Sequence, residues 1–205
     1  ETIKQIASIQ DEYFKFERDV NPNYIEHSKI FKTFDYVHVN TTVRFALINT
    51  SWCSELHEKQ GKMIIPNNAI NFGKINQSDI VITLFHHPFN WFSQSCYHDF
   101  RKNTREHSNF IVTGHEHQPT VTDTYEQNSG ECVFIEGASL HDDSNNSEFS
   151  VINIDTDSHH YIISTYKYDP AEQIYVANSE CTNTYGCDTK HKNGSLSYSF
   201  EILEN

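Results

Sequence analysis

Two short apolar runs stand out from a mostly polar chain. Asp79–Phe85 and Asn109–Thr113 are almost continuously apolar. Runs of that length suit strands buried on both faces, the pattern of a parallel sheet in an α/β layer. The polar stretch between them, from about Ser95 to His107, reads as a helix. Strand, helix and strand in that order predict a β-α-β crossover, which brings both strand ends to one edge of a sheet. Upstream, Ile3, Ile6, Ile9, Tyr13 and Phe16 follow three-to-four spacing and predict an amphipathic helix over residues 1–19. Asn21-Pro22-Asn23 breaks it, and a second helix is expected from Tyr24 to about Phe34. Tyr36–Asn40 and Thr42–Thr50 are rich in Val, Ile and Phe, which predicts a hairpin turning at Asn40-Thr41. Pro66 suits the first position of a helix reaching about Gln77. Cys132–Ala138, Glu148–Asp155, Tyr161–Tyr168, Gln173–Asn178 and Leu196–Leu203 read as strands, with a turn at Asp155-Thr156-Asp157-Ser158 and a long polar loop over Thr182–Asn193.

The chain of 205 residues, 13% aromatic, is enough for one sizeable core. A single domain over 1–205 is expected, with a helical lead-in at 1–35 and an α/β core with closing strands at 36–205. No run reaches the roughly 18–20 apolar residues of a membrane helix, and no secretory start is visible. A soluble, cytoplasmic protein without membrane contact fits this pattern. A net charge of −13 argues against a nonspecific nucleic-acid binder, which needs a basic face. It leaves phosphate chemistry open, because divalent metals supply positive field locally. The five cysteines are irregularly spaced and read as reduced thiols, although Cys181 and Cys187 could bridge in an oxidising setting. The chain begins at Glu1 and its only methionine is Met63, the look of part of a longer product.

The chemistry lies in the histidines. Of 13, two sets follow the apolar runs directly: His86-His87-Pro88, and Gly114-His115-Glu116-His117. Loops at strand ends are where open α/β sheets place their ligands. Neutral imidazole is a good ligand for zinc, iron or manganese. His115 and His117, two apart, would project to one side of an extended backbone, and Gly114 permits a sharp turn. Pro88 ends its strand and restricts His87.

With both motifs in view, the chain resembles the calcineurin-like metallophosphoesterases from about Val43 to Tyr168. Phe45–Trp52 resembles the family's strand and loop ahead of its linking helix. Ile80–Trp91 resembles its HHP segment, and Phe110–His117 its GHxH motif. Phe134–Leu140 looks like the strand that follows, and Phe149–Tyr168 like the closing sheet. The resemblance implies an α/β fold, a sandwich of two mixed β-sheets flanked by helices, here incomplete at the N-terminus. It implies two metal ions, Mn, Fe or Zn, at the strand ends. His86 and His115 would bind one and His117 the other, with His87 a neighbour. His87, Trp91 and Glu116 are the candidates for the substrate pocket. The implied reaction is hydrolysis of a phosphomono- or diester by metal-bound hydroxide. Ahead of His86, where the family carries its Asp-x-His, Gly-Asp and Gly-Asn-His motifs, none of the three is present. The catalytic leaving-group histidine and the bridging carboxylate therefore have no counterpart, and an upstream segment of the same protein is the expected partner.

Two other readings compete. A degenerate, noncatalytic relative would use its acidic surface and polar loops for binding or regulation. A mononuclear zinc hydrolase would place His86, His115 and His117 on one ion with an open water position. Plainer readings stand beside the single residues. Glu116 could be a solvated loop acid, Trp52 and Trp91 core or rim packing, and His141-Asp142-Asp143 a polar loop tip rather than a contact to metal or substrate.

Overall fold

The computed structural model describes residues 2–22, 27–75, 78–118, 120–126, 130–140 and 147–184, and in it both apolar runs are neighbouring parallel strands. A short helix α1 (Thr2–Ala7), a 3-10 turn (Ser8–Gln10) and α2 (Asp11–Val20) lead in. Then come β1 (Phe31–His38), β2 (Thr41–Ile48), the single helical turn α3 (Phe72–Ile75), β3 (Ile80–Leu84), α4 (Gln94–His107) and β4 (Phe110–Thr113). The strands β5 (Thr120–Glu126), β6 (Gly130–Glu136), β7 (Glu148–Asp155), β8 (His160–Asp169) and β9 (Ile174–Thr184) follow. One sheet has the order β1-β2-β3-β4-β6-β5, the other β7-β8-β9.

Period-two alternation divides the core. Val81 and Ile111 face the helical side, joining Ala46, Ile48, Phe85, Phe89, Phe92, Cys96 and Phe100. Ile80, Ile82, Phe110, Val133 and Ile135 face the other way and pack with Tyr161 and Ile163 of β8. Each side chain buried this fully contributes roughly 1.5–3 kcal/mol, so both faces of the first sheet matter. Helix α4 covers one face because Cys96, Phe100 and Thr104 recur every fourth residue and are buried. This is the α/β sandwich that the resemblance implies. The first sheet is mixed, with β1 and β5 antiparallel to their neighbours. The second, expected to be mixed, pairs antiparallel throughout its described strands, as consecutive hairpins must.

Several expected elements differ. The first helix is interrupted by the 3-10 turn at Ser8–Gln10. Phe31–Phe34, expected to end a helix, pairs with Phe45–Ile48 as the start of β1, so sheet pairing overrides local pattern; residues 23–26 lie outside the described set. The hairpin turns at Val39-Asn40, one residue earlier than expected. The helix expected from Pro66 is only a 3-10 turn (Asn67–Ala69) and α3. Ile65, Ile70 and Ile75 are the buried residues there, a five-residue spacing that no α-helical face accommodates. Asn71 Oδ1 instead accepts the Lys74 N–H and restarts the chain as α3. Strand β5 had no apolar signature, and β9 runs on into the stretch expected to be loop. The strand expected at Leu196–Leu203, the loop beyond Thr184, Cys187, the Cys181 side chain and His141-Asp142-Asp143 lie outside the described residues. No helix among the described residues is long and apolar enough to cross a membrane.

Candidate metal centre

Strands β2, β3, β4 and β6 run parallel, so their C-terminal ends share one edge. Thr50 follows β2, His86 and His87 follow β3, Gly114 and His115 follow β4, and Glu136 ends β6. Backbone bonds tie these ends together. Phe85 N–H donates to Val112 O at 3.1 Å, Gly114 N–H to His86 O at 3.0 Å, and Gly137 N–H to Thr113 O at 2.8 Å. A Cβ on Gly114 would meet His86 Nδ1 at 3.4 Å, so this position sits directly against the His86 ring.

His86, His87 and His115 converge: one ring nitrogen from each lies within 4.8 Å of the others. His86 Nε2 and His115 Nδ1 are 3.0 Å apart. The rings of His86 and His115 lie 4.7 and 4.5 Å from His87. His117 is exposed and stands outside this set. The extended backbone expected for Gly114–His117 is not formed. His115 has φ 79° and His117 φ 56°, so the motif is a turn. Left-handed geometry is rare for residues other than glycine and persists where surrounding contacts enforce it.

His87 is 1% exposed, and both its ring nitrogens are engaged. Nδ1 is 3.0 Å from Thr50 Oγ1, and Nε2 is 2.9 Å from Glu58 Oε2. The His87 backbone N–H donates to the same Thr50 Oγ1 at 3.2 Å. One proton arrangement satisfies every atom. Nε2–H donates to an ionised Glu58, and the Thr50 hydroxyl donates to Nδ1 while accepting the backbone N–H. Burial, then the neighbouring imidazoles, hold His87 below the usual histidine range despite the opposing charge of Glu58. Partial burial and the charges of His115 and His117 lower His86 likewise. Both shifts favour the neutral, metal-ligating form. Burial would raise the Glu58 carboxyl, but the Ser54 hydrogen bond and the charge and hydrogen bond of His87 bring it below its ordinary value.

Trp91 and Glu116 flank the cluster and bond to each other. Trp91 Nε1 donates to Glu116 Oε1 at 2.9 Å, and Asn90 Nδ2 donates to the same oxygen at 3.0 Å. The Trp91 ring meets His115 edge-on at 4.1 Å. Trp52, by contrast, is core: it is buried, and its indole donates to Ile64 O at 2.8 Å. Asp79 accepts the Thr42 N–H at the opposite end of β3. The sequence reading missed Glu58, Thr50 and Glu136. Thr50 carried a faint signal as a hydroxyl just past a strand; an acid in the polar loop 53–62 carried none.

Glu136 is buried, and its Oε1 has no hydrogen-bond partner. Burial, with the charge of Glu116, pushes its carboxyl above the ordinary range. A carboxyl raised on folding costs stability at neutral pH, and the cost disappears as pH falls below its unfolded value. Glu136→Gln is therefore expected to stabilise the fold by roughly 1–2 kcal/mol near pH 7, with the gain fading towards pH 4. Urea melts at the two pH values check this, and an equal gain at both would remove the charge explanation.

No family model matches the chain, and no curated protein matches it. Among solved structures, it is similar to GAP50, the anchor in the inner membrane complex of Plasmodium, at 11% identity and TM-score 0.38, over 91% of this chain and 56% of that one. It is similar to a Vps29 double mutant from Entamoeba histolytica at 12% identity and TM-score 0.34, over 77% of this chain and 65% of that one. A phosphatase from Mycoplasma pneumoniae matches at 10% identity and TM-score 0.36, over 75% and 57%. The chain thus spans less than two thirds of the length of each of these three.

Proposed function

We propose that this chain carries part of the metal centre of a metal-dependent phosphoesterase that hydrolyses a phosphomono- or diester. The observation that supports it most is the approach of His86 Nε2 and His115 Nδ1 to 3.0 Å from two separate strand-end loops. Two imidazole nitrogens on one tetrahedral zinc, each at ~2.0–2.1 Å, stand about 3.3 Å apart. The donor pair therefore fits a single ion after a small adjustment. His86 and His115 would hold that ion, and His117 would reach a second. His87 would stay outside the ligand set, because ligation would break its bond to Glu58 or to Thr50. A bound divalent ion polarises a phosphoryl oxygen and lowers the pKa of its water. The chain's own residues orient and enclose: Trp91 and Glu116 hold His115 in its turn, and buried His87 packs against both ligand rings. The remaining carboxylate and asparagine ligands would come from an upstream segment of the same protein.

A mononuclear three-imidazole site is the second reading, favoured by the convergence of His86, His115 and His87, the last in place of His117. It demands that His87 give up one of its two bonds. Metal analysis of the full-length gene product, purified without chelator, separates the readings. Two Mn, Fe or Zn ions per chain, with chelator-sensitive hydrolysis of p-nitrophenyl phosphate or its bis-ester, is the expected result. One ion would favour the three-imidazole site. No uptake from micromolar Mn or Zn would sink both.

A further inference from the structure

We infer that Glu58 is a positioning residue of this centre: through His87, it fixes the ring on which His86 and His115 both rest. The inference rests on the metal reading above but on different atoms. Glu58 lies outside both histidine motifs, in the excursion between β2 and α3. That excursion is fastened at both ends. The Trp52 indole donates to Ile64 O at 2.8 Å; Met63 N–H donates to Trp91 O at 3.1 Å, and Ser93 N–H to Met63 O at 2.8 Å. The excursion is thereby clamped beside the segment that follows His86-His87-Pro88, which brings the Glu58 carboxylate to 2.9 Å from His87 Nε2.

The His87 ring has two anchors, Glu58 on one nitrogen and Thr50 on the other. Together they select one tautomer and one ring plane. That plane matters because the rings of His86 and His115 both lean on His87, at 4.7 and 4.5 Å. A His87 free to flip would move the surface against which both ligands rest. Outer carboxylates of this kind commonly set the orientation of imidazoles at metal sites, and their loss weakens metal binding about 10–100-fold. Here the carboxylate acts one residue further out, through a histidine that is not itself a ligand.

The test compares Glu58→Ala and Glu58→Gln in the full-length protein. Ring nitrogen NMR of the metal-free protein reads the His87 tautomer, and titration with zinc reads affinity. Wild type should show the Nε2–H form. Alanine should release that tautomer and weaken zinc binding by about 10–100-fold. Glutamine, whose carbonyl oxygen can still accept from Nε2–H, should restore the tautomer and most of the affinity. Alanine that leaves tautomer and affinity unchanged while lowering the melting temperature would reduce Glu58 to a structural role and overturn the inference. Glutamine as damaging as alanine would also overturn it, since the carboxylate would then be acting as a ligand or a charge. A wild type that binds no zinc would defeat the metal reading alone, and the tautomer arm would still decide whether Glu58 orients His87.

Discussion

Replacing Phe100 by alanine should cost about 3–5 kcal/mol of stability, the cost of emptying a large aromatic site in a packed core. Phe100 is fully buried on the inner face of α4. Its ring lies 5.2 Å from Phe85, 5.4 Å from Phe89 and 5.1 Å from Phe92. Those three rings bracket the site segment. Phe85 precedes His86, and Phe89 and Phe92 stand on either side of Trp91. The cavity would therefore open beneath the proposed metal centre, and partial collapse would shift the turn that carries His86 and His87. Denaturant melts should show the full loss, and zinc affinity should fall with it. Leu56→Ala is the control. Leu56 is 92% exposed, and such surface changes usually stay within about 0.5 kcal/mol. If Phe100→Ala cost no more than Leu56→Ala, α4 would not be packed as described.

The same contrast between buried and exposed positions explains what could be read from the chain. Ile80–Leu84 and Phe110–Thr113 were legible because strands buried on both faces must be apolar throughout, and few other environments demand that. Helix α4 was legible as the polar stretch between two buried strands, the place a crossover helix takes. The histidines after β3 and β4 followed from the crossover, which leaves both strand ends on one edge. Strand β5 was not legible: an edge strand of sequence TVTDTYE needs few apolar residues. The segment 31–34 was misread because its strand identity comes from pairing with residues 45–48, not from its own pattern. Glu58 was beyond reach for the same reason. Its partner lies 29 positions away, and only the folded path of residues 51–63 joins them. The turn at His115 and His117 also depends on tertiary context, since local sequence favoured an extended course.

That strained turn leads to the second large effect. His115→Gly should weaken metal binding by about a hundredfold or more, yet leave the metal-free fold nearly as stable as wild type. Binding of a structural zinc by four ligands is worth roughly 10–16 kcal/mol, so one ligand carries about 3 kcal/mol, or some hundredfold in affinity. Stability responds to opposing terms. Glycine adopts the φ of 79° freely, relieving ~1–3 kcal/mol of backbone strain. Against that stand the lost edge-on contact with Trp91 and the lost bond to His86, together of about the same size. His115→Ala removes the same ligand and contacts but keeps a Cβ at positive φ, so it should be less stable than the glycine variant while binding metal equally poorly. Glycine at His117, with φ of 56°, gains the same backbone freedom and loses no cluster contact. It should raise stability, and it should abolish one of two bound ions if two are held, or none if the site is mononuclear. Calorimetric melts with zinc titrations of the three variants test this pairing of signs. Wild-type zinc affinity in His115→Gly would remove His115 from the ligand set, and with it the metal centre proposed at these strand ends.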